Sequence, residues 1–417
     1  MGLTDVLGHA AVRHAHVLVA EVPGHWVTRA AVERHVLARG WRLARSPADA
    51  DILAVCGPPG PHLTQPLAQL WEQLPGPRAR IEIDSPQAVL PALDTARADL
   101  LDTARQRADS RNRSGDHAGA HDAHGDVGDR GPPRGSGEHA AGGGMERGDH
   151  AHAGHGDHGQ GPSAGRAGHD GTEHAGHGGM GHGHGGMDMA PGGIPLAAGG
   201  EDRDDLEMDL LHLRLGPVLV YWPAGLVLRC TLQGDVIVDA QADLLVADDP
   251  YLTAAESPPA PDDPRQFAAR RCDNALSLLG LAGWDDAVSR ARRIRDALLF
   301  TEDLDGPAGE LHRLRRRVDR SWSLRWSLRR IGPLEAHELA RRGLPDTLAG
   351  DVYDRLLAML DHAADSIAGQ HPICRPPGTP VEAIPDLVRG WDLATARLII
   401  ASLDLDPPAA DREVSRA

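Results

Sequence analysis

Short apolar runs alternate with stretches of helical spacing along the first hundred residues of the chain. The run at 16–22 is apolar and β-branched and stops at Pro23-Gly24, and the next stretch carries apolar residues at helical spacing until Gly40. Such alternation is typical of parallel strands joined by helical crossovers. We therefore predict a small flavodoxin-like α/β domain. Its predicted strands lie at 16–22, 41–46, 50–57 and 80–83, and its predicted helices at 28–39, 64–74 and 85–107.

A different pattern begins after residue 200. Two long runs with strand character, 206–219 and 225–245, precede the helices, and the second contains a hairpin turn at Gln233-Gly234-Asp235. Apolar residues then recur at three- and four-residue spacing in segments separated by Gly or Pro. The pattern predicts a mostly α-helical domain with a β rim. Its predicted helices lie at 266–279, 284–300, 307–330, 333–342, 350–370 and 383–391, followed by an apolar strand at 396–405.

Residues 109–200, between these two parts, are almost entirely Gly, His, Ala, Asp, Arg and Pro. Apolar side chains there are too sparse to offset the entropy of ordering a backbone. We therefore predict a disordered linker at 109–200 between folded domains at 1–108 and 201–417.

The charge and cysteine content of the chain narrow the function classes. Its 417 residues carry a formal net charge of −17, which argues against bulk attraction to nucleic acid. No apolar window approaches the ~18 residues that cross a bilayer, so we expect no direct membrane span. The four cysteines form no CxxC pair, and the N-terminus lacks a signal-peptide pattern. We expect a cytoplasmic protein, free or peripheral on the inner face of the cell membrane.

Thirteen of the 24 histidines fall in the predicted linker. Neutral imidazole is a ligand for nickel, zinc and copper, so the linker is a candidate transition-metal binder, whereas the alternative is a solubilising spacer that binds metal weakly. The candidate ligands are His150, His152, His155, His158, His174, His177, His182 and His184.

The stretch 42–83 resembles the cluster-carrying small subunit of respiratory complex I and of the related membrane-bound nickel–iron hydrogenases. In that family a Ser-Pro-x-x-Ala-Asp motif leads into a strand, a glycine turn, a helix and a Gln-Met-Pro-x-Pro exit. The matching residues here are Ser46, Pro47, Ala50, Asp51, Gly57, Thr64, Gln73, Leu74, Pro75 and Pro77.

The second folded part resembles the partner of that protein, the large quinone-cradling subunit of complex I, which is itself similar to a hydrogenase large subunit. The segments 215–235, 349–367 and 396–412 carry the resemblance, which implies that two neighbouring subunits are fused in one chain. The residues that match the family motifs are Gly350, Asp351, Tyr353, Asp354, Arg355, Ser366, Ser402, Asp404, Asp411 and Arg412.

The departures from the family pattern concern its redox groups. The regions 19–30 and 81–89 contain no cysteine, so we expect no iron–sulfur cluster and no cofactor in the folded domains. The nickel-binding CxxC pairs are also absent, as they are in complex I. The loop that faces quinone in the family lacks its histidine and reads 218–223 here, where Tyr221 offers a hydroxyl to a quinone carbonyl.

The resemblance implies a subunit-like component of a membrane-associated NADH–quinone oxidoreductase or hydrogenase-type complex. Such a chain is structural or quinone-facing, has no redox centre of its own and is not catalytic alone. Its implied partners are the membrane subunits of that complex, together with quinone. The alternative is a soluble protein that binds or delivers nickel, zinc or copper through the histidine linker.

Three further groups of residues have a structural and a functional interpretation. An ion-pair network that braces the helical domain is favoured over a proton relay for Asp351, Tyr353, Asp354 and Arg355, and likewise for Asp404, Asp411 and Arg412. For the arginine-rich segment 313–330, packing of its two indoles with a solvated or partner-facing arginine face is favoured over stacking on nucleic acid. The last group, for which turn and interface roles are favoured over a Cys–His nucleophile, is His25, Trp26, Cys56 and His62.

Overall fold

Four parallel strands form the centre of the N-terminal domain. The computed structural model of the chain describes residues 12–122, 198–201, 207–245, 263–302, 305–369 and 381–406. The strands are β1 (His16–Glu21), β2 (Arg42–Leu43), β3 (Ile52–Cys56) and β4 (Ala79–Ile83). They lie in the order β2-β1-β3-β4, with Val17 opposite Ile52 and Glu21 opposite Cys56. The predicted parallel sheet is confirmed.

Helices cover both faces of this sheet. They are α1 (Trp26–Ala38), α2 (Pro61–Gln73), α3 (Val89–Leu101) and α4 (Thr103–Asp122). Alternate side chains of each strand point to opposite faces, so Val17 packs with α1 and α3 whereas Leu18 packs with α2. Both faces are therefore apolar, as expected for a parallel sheet between helices.

The first domain extends past the predicted start of the linker at residue 109. Asp102 separates α3 from α4, and α4 continues to Asp122. Asp109 accepts hydrogen bonds from both Nε and Nη2 of the buried Arg78, at 3.1 and 3.0 Å. These bonds tie the first turns of α4 to the sheet domain. Residues 123–197, which include all of the candidate metal ligands, lie outside the described residues.

The β rim of the second part is an antiparallel sheet in the order β5-β6-β7-β8. Gly234 has a φ of 63° in the turn between β7 and β8, where the hairpin is predicted. The side of the sheet that carries Leu228, Cys230 and Leu232 packs into the helical core. The four strands are β5 (Ala198–Glu201), β6 (Glu207–Leu215), β7 (Leu226–Gln233) and β8 (Val236–Leu244).

The helical body surrounds α5 (Pro264–Leu281), which packs against α6 (Asp285–Phe300), α10 (Val352–Ile367) and α12 (Leu393–Ser402). The remaining helices are α7 (Asp305–Arg320), α8 (Trp322–Leu328), α9 (Ala336–Arg342) and α11 (Ile384–Val388). The described residues up to Asp116 and from Ala198 onward belong to one compact unit.

Two sequence predictions in the helical body need correction. The segment 396–405 is not a strand, because α12 begins after the N-cap Asp392, whose carboxylate accepts the Thr395 amide hydrogen bond at 2.9 Å. Its buried apolar residues Ala396, Ile399 and Ile400 have helical spacing, which a short apolar run does not distinguish from a strand. The predicted helix 307–330 is interrupted at Ser321, which instead caps α8.

Candidate functional site

A cavity of about 270 Å³ lies where the parallel sheet domain meets the helical body. Val17, Val19 and Glu21 of β1 form one wall with Arg29 and Glu33 of α1. Helices α5 and α6 and the loop 217–224 between β6 and β7 form the other walls. Small-molecule sites commonly occur at junctions of this kind and begin at roughly 300 Å³, so this cavity has room for one small ring system.

Three contacts hold the loop 217–224 against the cavity. Trp222 Nε1 donates to the Leu226 carbonyl at 2.7 Å, and Arg397 Nη2 donates to the Val220 carbonyl at 2.9 Å. The ring of Tyr221 lies on Gly280 of α5, where a Cβ would come within 2.5 Å of the ring carbons. Tyr221 has a φ of 58°, which is uncommon for a residue with a side chain. The loop therefore presents Tyr221 to the cavity through a specific backbone conformation.

The hydroxyl of Tyr221 has no hydrogen-bond partner within the described part of the chain, although the residue lines the cavity. A phenol hydroxyl donates one hydrogen bond and accepts others. The Tyr221 hydroxyl therefore keeps its hydrogen-bonding capacity within the described part of the chain.

Buried charges from the two folded parts meet at the back of the cavity. Arg29 of α1 donates to Glu21, to Glu33 at 2.6 Å and to Asp273 of α5. The Nη1 atom of Arg295 donates to Asp273 Oδ1 at 2.8 Å and to Glu33 Oε2 at 3.0 Å. We call these five residues the interdomain charge cluster. Each carboxylate has a guanidinium partner, which a buried charge requires.

Attraction to the neighbouring guanidiniums keeps Glu33 and Asp273 ionised. Burial alone raises the pKa of Glu33, but Arg295, Arg29 and Arg292 together lower it well below the ordinary range. The pKa of Asp273 is also lowered: burial raises it, and the neighbouring Arg29 and Arg295 more than offset that effect. The carboxylates of Glu33 and Asp273 are therefore charged at neutral pH.

A second set of ion pairs lies in the helical body beside the interdomain charge cluster. Arg271 donates to Asp404 and Asp406, and Asn274 Nδ2 donates to Asp404 Oδ1 at 2.7 Å. Arg270 reaches Asp273 of the interdomain charge cluster at 3.2 Å and Asp406 at 3.1 Å. Asp404, a predicted motif residue, is thus held by α5. Asp411 and Arg412, the last two motif residues, lie outside the described residues.

The rim of the cavity combines exposed apolar and charged side chains. Leu37 and Leu219 line the cavity and are 42% and 40% exposed. Arg45, which follows β2, forms an ion pair with Asp285 at the start of α6. Because both partners of this pair are exposed, it contributes little to stability, but it joins the two folded parts across the rim.

The predicted motif residues at the start of α10 do not line the cavity. Asp351 and Asp354 form a capping box, in which the Asp351 carboxylate accepts from the Asp354 amide at 3.1 Å and the Asp354 carboxylate accepts from the Asp351 amide at 3.2 Å. Tyr353 is buried and its hydroxyl donates to the Asp319 carbonyl at 3.1 Å. Gly350 has a φ of 91° beside Asp354. These residues start a helix and anchor it.

Arg355 departs from the predicted ion-pair network. Its guanidinium donates to the carbonyls of Gly350 at 2.7 Å and Gly332 at 3.0 Å, and its Nε donates to Ser402 Oγ at 2.9 Å. No hydrogen bond joins it to a carboxylate in the described ranges, because Asp351 caps the helix instead. The structure brings Arg355 and Ser402, from two of the predicted motifs, into one buried contact.

The carboxyl edge of the parallel sheet holds the residues considered for a Cys–His nucleophile. Cys56 is fully buried, and burial raises the pKa of its thiol far above the ordinary value, whereas His62 on α2 is exposed. His25 is also buried, against Gly57, and burial lowers its pKa. No group of three or more His, Cys, Asp or Glu side chains is arranged to hold a metal ion anywhere in the described ranges.

The interdomain charge cluster was not predicted from the sequence, although one signal of it is visible there. Glu33 directly follows the apolar residues 30–32 of α1, and Asp273 directly follows Cys272 on α5. A charge on a face that is otherwise apolar needs a partner. The sequence does not say that these partners lie more than two hundred residues away.

No protein-family model matches the chain, and no curated protein matches it either. No helix of the described residues is long and apolar enough to cross a membrane.

Proposed function

We propose that the chain is a fused, cluster-free counterpart of the small and large subunits of complex I and the related hydrogenases. In this proposal it is a component of a membrane-associated oxidoreductase complex, and the cavity binds a quinone headgroup. The observation that supports it is the position of residues 218–223, which the resemblance relates to the quinone-facing loop and which line the cavity between the two folded parts.

The cavity lining suits a small, flat molecule with carbonyl oxygens. Val17, Val19 and Val218 supply apolar walls, and the hydroxyl of Tyr221 supplies a hydrogen-bond donor without a partner in the described residues. The exposed Leu37 and Leu219 at the rim suit an apolar tail that leaves the cavity. The chain orients such a ligand by one hydrogen bond and by shape.

In this proposal the interdomain charge cluster has a structural role. Its carboxylates and guanidiniums pair with one another and hold α1 against α5 and α6, which keeps the cavity walls in place. Electrons would reach and leave a bound quinone through partner subunits, since the sequence has none of the cysteines that carry the cluster in the family. Its own residues bind and orient the ligand.

Calorimetric titration with the tail-less benzoquinone headgroup of ubiquinone tests the site. Ser277 of α5 lines the cavity, so Ser277→Phe fills it and is expected to abolish binding. Ser323→Phe, at an exposed helical position outside the cavity, is the matched control and is expected to bind like the wild type. Tyr221→Phe removes one hydrogen bond and is expected to weaken binding by about three- to tenfold.

The outcome against the proposal is equally specific. The ligand site is excluded if the wild-type chain binds no quinone analogue. It is also excluded if the Ser277→Phe variant binds the analogue as tightly as the wild type does. Thermal unfolding of each variant shows whether a loss of binding reflects a loss of fold, and Tyr221→Phe removes no hydrogen bond to the described residues. Purification from gently solubilised membranes, with identification of co-purifying hydrophobic subunits, tests the assignment to a complex.

The second candidate function is transition-metal binding by the linker, which rests on the thirteen histidines between residues 109 and 200. Deleting all of 109–200 would break the pair of Asp109 with Arg78, so the deletion 123–197 is the better variant. Equilibrium dialysis of both chains against Ni²⁺, Zn²⁺ and Cu²⁺ measures the bound metal. We expect the deletion to release nearly all of it; equal binding by both chains would exclude the linker.

A further inference from the structure

Helix α8 exposes two tryptophans on one side. Trp322 and Trp326 are each 76% exposed, more than any other large apolar side chain in the described part of the chain. Their rings stack on each other, with centroids 6.4 Å apart and an interplanar angle of 16°. The interpretation favoured from the sequence is that these two indoles pack rather than stack on nucleic acid. They do pack together, but the pair stays in contact with solvent.

Arginines accompany the indoles along the same side of the helix. Residues at three- and four-residue spacing share a helix face, so Arg325 and Arg329 lie in line with the two tryptophans. We call these four residues the Trp–Arg stripe. The opposite side of the helix carries Leu324 and Leu328, which are buried in the helical core. Burial of the leucines therefore fixes the stripe toward solvent.

The two arginines of the stripe are held in place and keep free hydrogen-bonding capacity. Arg325 and Arg329 stack on the ring of the buried Tyr353, at 5.5 and 5.2 Å from its centroid. Each has one long ion pair, to Asp319 at 3.6 Å and to Asp354 at 3.4 Å, and Arg325 also donates to the Asp319 carbonyl at 3.1 Å. A guanidinium has five N–H donors, so most of these donors remain available to an anionic partner.

We infer that the Trp–Arg stripe docks the protein on an anionic lipid surface. Indoles are favoured at the membrane–water interface because they are amphipathic, and arginines are attracted to anionic headgroups. The net charge of −17 does not oppose this docking strongly, because charges beyond about 10 Å are screened at 0.1 M salt. The inference rests on this surface alone and is independent of the cavity.

The shape of the stripe favours a lipid surface over single-stranded nucleic acid. Proteins that bind single strands combine stacking aromatics with a basic groove that follows the backbone. The Trp–Arg stripe lies on the convex outer side of a helix of seven residues. A headgroup layer can contact all four side chains of a convex stripe together.

Co-sedimentation with lipid vesicles tests the inference on the full chain. We expect binding to mixed phosphatidylcholine–phosphatidylglycerol vesicles and much weaker binding to phosphatidylcholine alone. Trp322→Ser/Trp326→Ser is expected to abolish it, whereas Leu90→Ser, which removes another exposed apolar side chain, leaves it unchanged. Vesicles of brominated lipid should quench part of the tryptophan fluorescence of the wild type, and that quenching should disappear in the double tryptophan variant.

A second pair of variants tests the charge contribution. Arg325→Gln/Arg329→Gln is expected to weaken binding by roughly fivefold per arginine, as is typical near an anionic surface. The control Arg105→Gln/Arg107→Gln removes two exposed arginines from α4, one of which also has a single ion pair. Thermal unfolding confirms that each variant is folded.

Three results would overturn the inference. The first is a wild-type chain that stays in the supernatant with phosphatidylglycerol vesicles. The second is a double tryptophan variant that binds vesicles as well as the wild type does. The third is tight binding of a single-stranded oligonucleotide that depends on the same indoles, together with no vesicle binding, which would assign the stripe to nucleic acid.

Discussion

Arg29 of α1 donates a hydrogen bond to the carboxylate of Asp273 on α5, across 244 positions of the sequence. The bond joins the parallel sheet domain to the helical body at the back of the cavity. Asp273 is 2% exposed and also accepts from the fully buried Arg295. The two folded parts therefore share a buried ionic contact in addition to apolar packing.

Removing the Asp273 charge is predicted to destabilise the whole compact unit. In Asp273→Asn, Arg29 and Arg295 lose a buried carboxylate partner, and breaking a buried pair in this way costs about 3 kcal/mol or more. The control is Asp285→Asn, which breaks the exposed pair with Arg45 and costs less than about 1 kcal/mol. Urea unfolding measures both. Equal effects of the two variants would contradict a buried structural role for Asp273.

Acid is predicted to lower the folding stability of the chain through protonation of Glu33. Because the pKa of Glu33 is lowered in the folded protein, the unfolded chain takes up the proton first as the pH falls below about 4.5, so folding stability declines in that range. Glu33→Gln removes this contribution: it is less stable than the wild type at neutral pH and loses less stability on acidification. Urea midpoints measured from pH 7 downward give both slopes, and parallel slopes would refute the prediction.

Gly350 is predicted to resist substitution more than Gly283, although both have a positive φ. A Cβ there would lie 2.7 Å from the Cβ of Asp354, whereas at Gly283, with a φ of 75°, it would meet nothing within 4 Å. Gly283→Ala therefore costs only the backbone strain, about 1–2 kcal/mol. Gly350→Ala adds a clash of about 1–3 kcal/mol and disturbs the capping box. Thermal unfolding compares the two, and similar losses would mean that the chain relieves the clash by a small shift.

Ser402 is predicted to stabilise α10 through Arg355. Burial lowers the pKa of Arg355 to about 10, because the charged guanidinium is removed from water. In Ser402→Ala the Arg355 Nε loses its 2.9 Å acceptor, and a buried donor without a partner costs about 1–3 kcal/mol. Ser323→Ala, at an exposed position, serves as the control and should change the unfolding free energy little. If Ser402→Ala leaves the unfolding free energy unchanged, another acceptor replaces the hydroxyl.

The parallel sheet domain could be read from local patterns. Each strand and helix between residues 16 and 83 has its own apolar period and a Gly or Pro shortly after its end, and local signals of this kind suffice for element type. The hairpin at Gly234 was equally predictable. The segment 396–405 was not, since its apolar run fits either a strand or a helix, and only burial in the helical body selects the helix.

The sequence indicated one residue of the candidate site, but it did not indicate the interdomain charge cluster. Tyr221 was singled out because of its loop, and the structure places it in the cavity lining. Glu33, Asp273 and Arg295 come from three separate helices, and no local pattern indicates that they meet.

The amino-acid sequence by itself therefore determined most of the elements, the charge balance and the position of the histidine-rich segment, because these depend on near neighbours along the chain. Only the tertiary structure decided that both folded parts share one compact unit, that a cavity lies between them and that two indoles face solvent. Those features depend on long-range packing, in which side chains distant in sequence compete for the same buried space.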